Sequence, residues 1–406
     1  MLPYYAFALI VTWLGVLSLR NGFSFAAHVR RELELPLSDF TPFVSVIAPC
    51  RGLEDGLREN INALFEQKYP AYEIIFVTDR ADDPALGVIE EVRHVWQDAW
   101  HPVTQCIIAG PATDSGQKVH NLRSAVLKVD ARSEVLVFVD TDVRPNSDWL
   151  RSLVAPLVDQ HIGATTGYRW FIPAKWSLAS HLRSVWNGSI ASALGERGDK
   201  NFCWGGSTAI RKSTFNELGI REHWRGSISD DFTMTRILHE AKLPIHFVPV
   251  CLVPSVNDCT VQELFEFTNR QLKITRVYAP HLWQPVLIGS LLFCAVFFGG
   301  VALVIARGIM GLSYIVPLVM VLLIYVLGAA KAYIRLRAVS VALVDYRNQL
   351  MKSLVAHLVL WPIASALFLI NAVAAAGSRR ISWRGITYDL KSPNEAVIIS
   401  RKSDKL

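Results

Sequence analysis

The stretch Leu136-Val-Phe-Val-Asp140-Thr-Asp142-Val143 joins a run of four apolar residues to two carboxylates spaced two apart. A short β-branched and aromatic run bounded by polar residues predicts a buried strand, here from Glu134 to Val139 and closed by Asp140. Two residues apart at a strand end, Asp140 and Asp142 can both face one point.

Working outward, the same pattern recurs. Phe43 to Pro49, Tyr72 to Thr78 and Thr104 to Ala109 are further short strands, and Asp79 closes the second of them. Helical spacing fills the gaps, over Leu57 to Gln67, Pro84 to Trp96 and Lys118 to Val129. Strands alternating with helices predict an α/β domain with a mostly parallel sheet. Ligands of such sheets bind beyond the carboxyl ends of the strands, where Asp79 and Asp140 stand. No Gly-x-Gly-x-x-Gly follows the first strand and no Gly-Lys-Ser/Thr occurs, which argues against a dinucleotide fold and a P-loop ATPase.

Hard divalent cations such as Mg²⁺ or Mn²⁺ take oxygen ligands and share them with substrate phosphates. Asp140 and Asp142 suit that chemistry; the competing reading is a turn or cap. A second pair, Asp230-Asp231, follows Ser229 and precedes a helical run. Helix capping accounts for Asp230. Asp231, followed by an aromatic and downstream of the first pair, reads as a general base. Lys118 and Asn121 stand one turn apart at a helix start, a place that favours phosphate, or else they form a solvated first turn. Phe202-Cys-Trp-Gly-Gly-Ser207 sets small residues beside a Trp, for close approach of a ligand or for a plain turn. Arg270 to Arg276 is a basic amphipathic stretch, suited to lipid headgroups or to a cationic lid over a diphosphate through Arg270 and Lys273.

The chain has 406 residues, 51% of them hydrophobic and 19% charged, and the apolarity is uneven. Tyr4 to Leu19 is oily, with Arg20, Arg30 and Arg31 after it rather than before it. That order predicts an uncleaved anchor with its N-terminus outside and the following domain in the cytoplasm. Gln284 to Ile305, Leu312 to Ile334 and Leu354 to Ala376 are each long enough to cross a hydrocarbon core of ~30 Å. Four full crossings would place the tail outside, yet the tail carries Arg379, Arg380, Arg384, Lys391, Arg401, Lys402 and Lys405, which the positive-inside rule places inside. Either the last segment is re-entrant, bent at Pro362, or the rule fails here. The resulting division is an anchor over 1–25, a catalytic domain over 40–260, an amphipathic segment over 261–282, membrane helices over 283–377 and a basic tail over 378–406. The net charge of +6 comes without a basic helix interleaved with aromatics, so nucleic acid is not an expected partner. The six cysteines form no C-x-x-C pair and read as free thiols.

In this order the elements resemble glycosyltransferase family 2-like enzymes, and among them the ceramide glucosyltransferase group. Thr78-Asp79-Arg-Ala-Asp82-Asp83-Pro84-Ala85 looks like that group's first aspartate motif, Asp140 matches the second and Asp231 the third. Lys118-x-x-Asn121, Cys203-Trp-Gly-Gly-Ser-x-Ala-Ile-Arg211-Lys212 and Ile381-Ser-Trp383-Arg384-Gly385-Ile-Thr-Tyr388 are also similar to the group. The resemblance implies a GT-A fold and an inverting transfer of a hexose, glucose in the group's manner, from a UDP-sugar donor to a membrane lipid acceptor such as ceramide or a related lipid. It implies nucleotide-sugar contacts at Asp79, Lys118, Asn121, Asp140, Arg270 and Lys273. It implies a Mg²⁺ or Mn²⁺ ion on Asp142 and Asp140, and Asp231 as base. The implied setting is a bacterial inner membrane with the catalytic domain cytoplasmic. The group's (Q/R)xxRW motif falls on Arg270-x-x-Lys273-Ile274, where a point charge replaces a bidentate fork and a stacking surface is lost, a departure that bears on the acceptor. A processive polysaccharide synthase and an inactive membrane scaffold are the alternatives; the three late segments and the altered motif argue against the first, the three aspartates against the second.

Overall fold

The computed structural model describes residues 2–97 and 102–401. In chain order the first elements are α1 (Leu2–Leu33), β1 (Val44–Pro49), α2 (Leu57–Phe65), β2 (Tyr72–Thr78), α3 (Pro84–Trp96), β3 (Val103–Ile108), α4 (Gln117–Ala125), β4 (Val135–Val139) and α5 (Trp149–Val154). Next come β5 (Ala164–Ile172), α6 (Leu178–Ala191), β6 (Ser207–Arg211), α7 (Lys212–Glu217), α8 (Ile220–His223), α9 (Asp230–Glu240) and β7 (Ile245–Val256). The rest are α10 (Val261–Tyr278), α11 (Pro280–Ile309), α12 (Ile315–Ala342), α13 (Arg347–Lys352), α14 (Leu354–Gly377), β8 (Arg380–Trp383), β9 (Ile386–Ser392) and β10 (Glu395–Arg401).

Two compact units divide these elements. One holds Arg31–Trp170, Leu194–Ser255 and Arg380–Leu406. Its core is a seven-stranded sheet in the order β3-β2-β1-β4-β6-β5-β7. β3, β2, β1 and β4 run parallel, and β6 is antiparallel to both β4 and β5. This is the α/β class the sequence predicts. Strand alternation sends side chains to opposite faces. Val46, Ile74, Phe76, Val135 and Val137 join α2, α3 and α5 in one core, and Ile47, Ile75, Leu136 and Phe138 join α4, α8 and α9 in another. With both faces covered, β1, β2 and β4 are buried nearly throughout, which explains their unbroken apolar sequences. Chain order departs in both directions from β1, toward β2 and toward β4, so the switch point lies where Asp79 and Asp140 emerge.

The second unit holds Met1–Arg30, Phe171–Ala193 and Val256–Arg379. Four of its helices, α1, α11, α12 and α14, are long and apolar enough to cross a membrane. Ala8 and Val11 of α1 pack with Phe297 of α11 and Ile324 of α12. The Trp361 ring of α14 lies against Gly328 of α12, where any Cβ would come within 2.4 Å of it. Trp186 of α6 stacks on Phe368 of α14 at 4.7 Å, and Arg276 of α10 donates to the Ala375 carbonyl.

Arg380–Arg401 do not form a separate basic tail. β8, β9 and β10 form an antiparallel sheet that belongs to the same unit as the seven-stranded sheet. Lys402 and Lys405 lie outside the described residues. One folded unit contains the chain both before α10 and after α14, an arrangement that an even number of complete crossings among the three late helices would accommodate on one face of a bilayer. α14 and α11 each have an internal proline, Pro362 and Pro285, and α14 has a third (33%) of its apolar window buried in protein, against 17% and 22% for α11 and α12.

Cys106, on β3, is exposed in the unit built on the seven-stranded sheet. In sealed vesicles an impermeant maleimide should label Cys106 and, in a Cys106→Ser background, Ser400→Cys from the same face, with Gly311→Cys labelled from the other. Labelling of Ser400→Cys and Cys106 from opposite faces would show that α14 crosses.

Candidate functional site

β4 ends at Val139, and the turn after it carries Asp140 and Asp142 to the sheet's carboxyl edge. Two cations meet them there. Arg169, on β5, donates from Nη1 to Asp142 Oδ2 at 3.1 Å and from Nη2 to Asp142 Oδ1 at 3.0 Å and Asp140 Oδ2 at 3.3 Å. Lys118, at the start of α4, reaches Asp140 Oδ1 at 2.8 Å and Asp230 Oδ2 at 3.3 Å. Burial raises the cost of every charge here, so each survives through its partner. Burial pushes the Asp142 carboxyl up, but Arg169 and Arg384 outweigh it and hold the group below the usual carboxylate range. Burial lowers Lys118, but Asp140, Asp230 and Asp231 more than reverse that. Asp230, the most enclosed, is pushed up to about 6 by burial, against Lys118 and with the help of Asp231 and Asp140.

The segment Trp204-Gly-Gly-Ser207 makes room for this arrangement. A Cβ on Gly205 would lie 2.2 Å from Asp230 Oδ2 and 2.7 Å from Lys118 Nζ, and one on Gly206 would lie 2.8 Å from Asp140 Oδ2. Lys118 Nζ also donates to the Gly205 carbonyl at 3.1 Å. The Trp204 ring lies beneath the Arg169 guanidinium at 5.0 Å, a cation–π contact that keeps Arg169 in line with the carboxylates. Asp230 is anchored from below, where Trp224 Nε1 donates to its carbonyl at 3.0 Å and the Trp224 ring meets Phe138 edge-on at 5.4 Å.

Ser229 caps α9 by accepting from Phe232 N, which is the role the sequence left open for Asp230. Asp231 Oδ1 accepts from Ser229 Oγ and, at 2.8 Å, from Phe232 N, and the residue is half-exposed. Asp79, at the end of β2, faces Arg51 at 3.9 Å, and its Oδ1 is buried without a hydrogen-bond partner. Asp83 caps α3 and accepts from Gly52 N at 2.9 Å, whereas Asp82 is largely exposed.

The structure therefore gathers Lys118, Asp140, Asp142, Asp230 and Asp231 at the carboxyl edge of one sheet. Asn121 has an internal partner: its Oδ1 accepts from Gln117 Nε2 at 2.9 Å, and Gln117 in turn braces Gly110 and Ala112. Arg270 and Lys273 lie on α10 in the other unit, where Arg270 pairs with Glu266 one turn earlier at 3.9 Å and burial pushes the Lys273 ammonium down. Sequence reasoning missed Arg169. The signal was a single arginine within the apolar strand Ala164–Ile172, which needs a counter-charge if buried. It also missed Glu54, in the loop after β1, which Arg384 grips.

No group of three His, Cys, Asp or Glu able to hold a metal ion occurs among the described residues. Asp140 and Asp142 nonetheless fit a Mg²⁺ or Mn²⁺ ion of the kind that takes one or two carboxylates and completes its shell with water and diphosphate oxygens. Their donor atoms are hard oxygens, they sit beside each other, and the cations that now neutralise them are those a diphosphate would attract.

A family model described as glycosyl transferase family 21 matches residues 8–396. Ceramide glucosyltransferase 1 of Caenorhabditis elegans is 22% identical over 248 residues, 59% of this chain and 51% of that protein. Ceramide glucosyltransferase of Komagataella phaffii is 26% identical over 87 residues, 21% of this chain and 16% of that protein. The chain spans about half the length, or less, of the curated relatives it matches. Among solved structures, the mannosyltransferase PcManGT of Pyrobaculum calidifontis in complex with GDP-Man and Mn²⁺ is 16% identical, covering 92% of this chain and 98% of that one at a TM-score of 0.48. GalNAc-T7 with UDP, GalNAc and Mn²⁺ is 16% identical over 59% and 48% of the two chains at 0.41.

Gly205→Ala forces a methyl group into the Lys118–Asp230 pair and should destabilise the protein by about 1–3 kcal/mol. It should also weaken the binding of any nucleoside diphosphate the site takes. Gly195→Ala, whose Cβ meets nothing within 4 Å, is the matched control and should change neither. Thermal unfolding and isothermal titration with UDP read both effects; equal behaviour of the two variants would show that Gly205 does not shape the site.

Proposed function

The chain belongs to glycosyl transferase family 21, and from that premise we propose that it is a membrane-anchored inverting glycosyltransferase that moves a hexose, glucose by likeness to its relatives, from a UDP-sugar to a hydroxyl of a membrane lipid. The observation that carries the reading is the joining of two carboxylate pairs, Asp140–Asp142 and Asp230–Asp231, through Lys118 at the carboxyl edge of the sheet. The apolar helices support a lipid acceptor, and the names of the curated relatives support ceramide or a similar lipid. The basic residues that follow the apolar part of α1 support a cytoplasmic catalytic unit, as in a bacterial inner membrane.

Each residue's part follows from its chemistry. Asp231 is the base. Its Oδ1 is held by Ser229 Oγ and Phe232 N, which fixes the carboxyl plane and leaves Oδ2 for the acceptor proton. The acceptor oxygen attacks the anomeric carbon from the face opposite the leaving group. The new C–O bond forms as the bond to the phosphate oxygen breaks, the electron pair leaves on the diphosphate, and the hydroxyl proton passes to Asp231. Asp140 and Asp142 would hold a divalent cation, which would supply charge stabilisation for the departing diphosphate. Lys118 and Arg169, preset around those carboxylates, add fixed positive charge where negative charge develops. Asp79, with an unpartnered buried oxygen beside Arg51, is suited to the nucleotide. Arg270 and Lys273 remain proposed donor contacts on the strength of their charge alone.

Membranes carrying the protein, given labelled UDP-hexoses, a lipid extract and Mg²⁺ or Mn²⁺, should form a glycolipid identifiable by mass spectrometry. Asp231→Asn should lower its formation by about 100-fold or more, the contribution expected of a general base, and leave UDP affinity nearly unchanged. Sugar reaching no lipid would overturn the acceptor reading, and full activity in Asp231→Asn would remove Asp231 as base.

A further inference from the structure

The C-terminal sheet touches the catalytic unit at three places, each beside a segment of the site. Tyr388 Oη accepts from Gln117 N at 3.2 Å, and Arg401 donates to Gln117 Oε1 at 3.2 Å and to the Ala112 carbonyl, so β9 and β10 hold the start of α4 next to Lys118. Ala396 N donates to the Gly226 carbonyl at 2.9 Å, and a Cβ on Gly226 would fall 1.9 Å from Asn394 O. That contact secures the segment leading into Ser229, Asp230 and Asp231. The third contact is made by the hairpin turn between β8 and β9. Arg384 Nη1 donates to the Arg51 carbonyl at 2.9 Å, and Nη2 pairs with Glu54.

That turn has only two residues, Arg384 and Gly385, with φ of 47° and 74°. Two successive positive φ values define a type of tight hairpin turn whose first position favours Asn, Asp or Gly. An arginine there breaks the local rule, and such breaks collect where a side chain has a use. Its direction shows the use. Nη1 reaches the Arg51 carbonyl, and Arg51 itself faces Asp79 at the carboxyl end of β2.

We propose that Arg384 is a third cation of the donor site, delivered by the C-terminal hairpin to bind the donor's diphosphate. The inference rests on the nucleotide-sugar reading given above. It supplies, from within the same unit as Asp140 and Asp142, a cation of the kind that one reading of the sequence sought in Arg270 and Lys273. A planar guanidinium suits phosphate because it can donate two parallel hydrogen bonds. No atom is transferred to or from Arg384; it neutralises charge as the electron pair moves onto the leaving diphosphate.

The test compares UDP with UMP, each titrated with Mn²⁺ into the full-length protein in nanodiscs. Arg384→Asn keeps a residue suited to the turn and removes the guanidinium. Its affinity for UDP should fall roughly ten- to hundredfold, the range of a charge-assisted hydrogen bond, and its affinity for UMP by much less. Arg384→Lys, a point charge, should fall between the variant and the wild type. Wild-type UDP affinity in Arg384→Asn would overturn the proposal. So would equal losses for UDP and UMP, which would mark a structural effect on the whole pocket. A wild-type protein that binds neither UDP nor GDP would remove the nucleotide-sugar reading and this inference with it, whereas GDP binding alone would change the base and move the same comparison to GDP and GMP.

Discussion

Asp140 holds the site together because it is shared. Lys118 reaches it from α4, Arg169 from β5, and Lys118 then extends the link to Asp230 on α9. Three elements far apart in sequence are thereby joined through one carboxylate at the end of a central strand. Alone, any of these charges would be expensive at this depth. Together they are near neutrality, and removing one member leaves another charge uncompensated. The glycines at 205 and 206 and the rings of Trp204 and Trp224 make sense as accommodations to this network. They leave space for the charged groups on one side and fix Arg169 and Asp230 on the other.

The same network suits the phosphate-rich donor proposed above. The carboxylates that suit a divalent ion are neutralised by internal cations, and those cations suit a diphosphate. Binding of the donor with its ion would exchange partners within one balanced set rather than create buried charge. The C-terminal sheet extends this set by adding Arg384, which pairs with Glu54 of the loop after β1, and by bracing the starts of α4 and α9.

Much of the sheet was legible in the sequence because strands buried on both faces must be apolar throughout, and β2 (Tyr72–Thr78) and α3 (Pro84–Trp96) have the bounds their sequences predict. The aspartates were legible for a related reason: a carboxylate directly after such a strand has few structural uses. Arg169 was not, since an arginine inside a strand shows nothing of its partner across the sheet. The spacing of Asn121 to Lys118 left a phosphate contact and a solvated first turn both open, and Gln117, on the same helix, donates to its amide oxygen. The C-terminal strands were hidden by their basic residues, which resemble a membrane-flanking tail until Tyr388, Ala396 and Arg401 are seen to dock.

Mn²⁺ binding, followed by the loss of the free-ion electron paramagnetic resonance signal, tests the balanced-charge site most directly. The wild-type protein should take up little Mn²⁺ alone and one equivalent once UDP is present, because the diphosphate both completes the ion's ligands and engages the cations on Asp140 and Asp142. Asp142→Ala should fail to take up the ion under either condition. Tight Mn²⁺ binding without UDP, or uptake by Asp142→Ala equal to that of the wild type, would contradict the account.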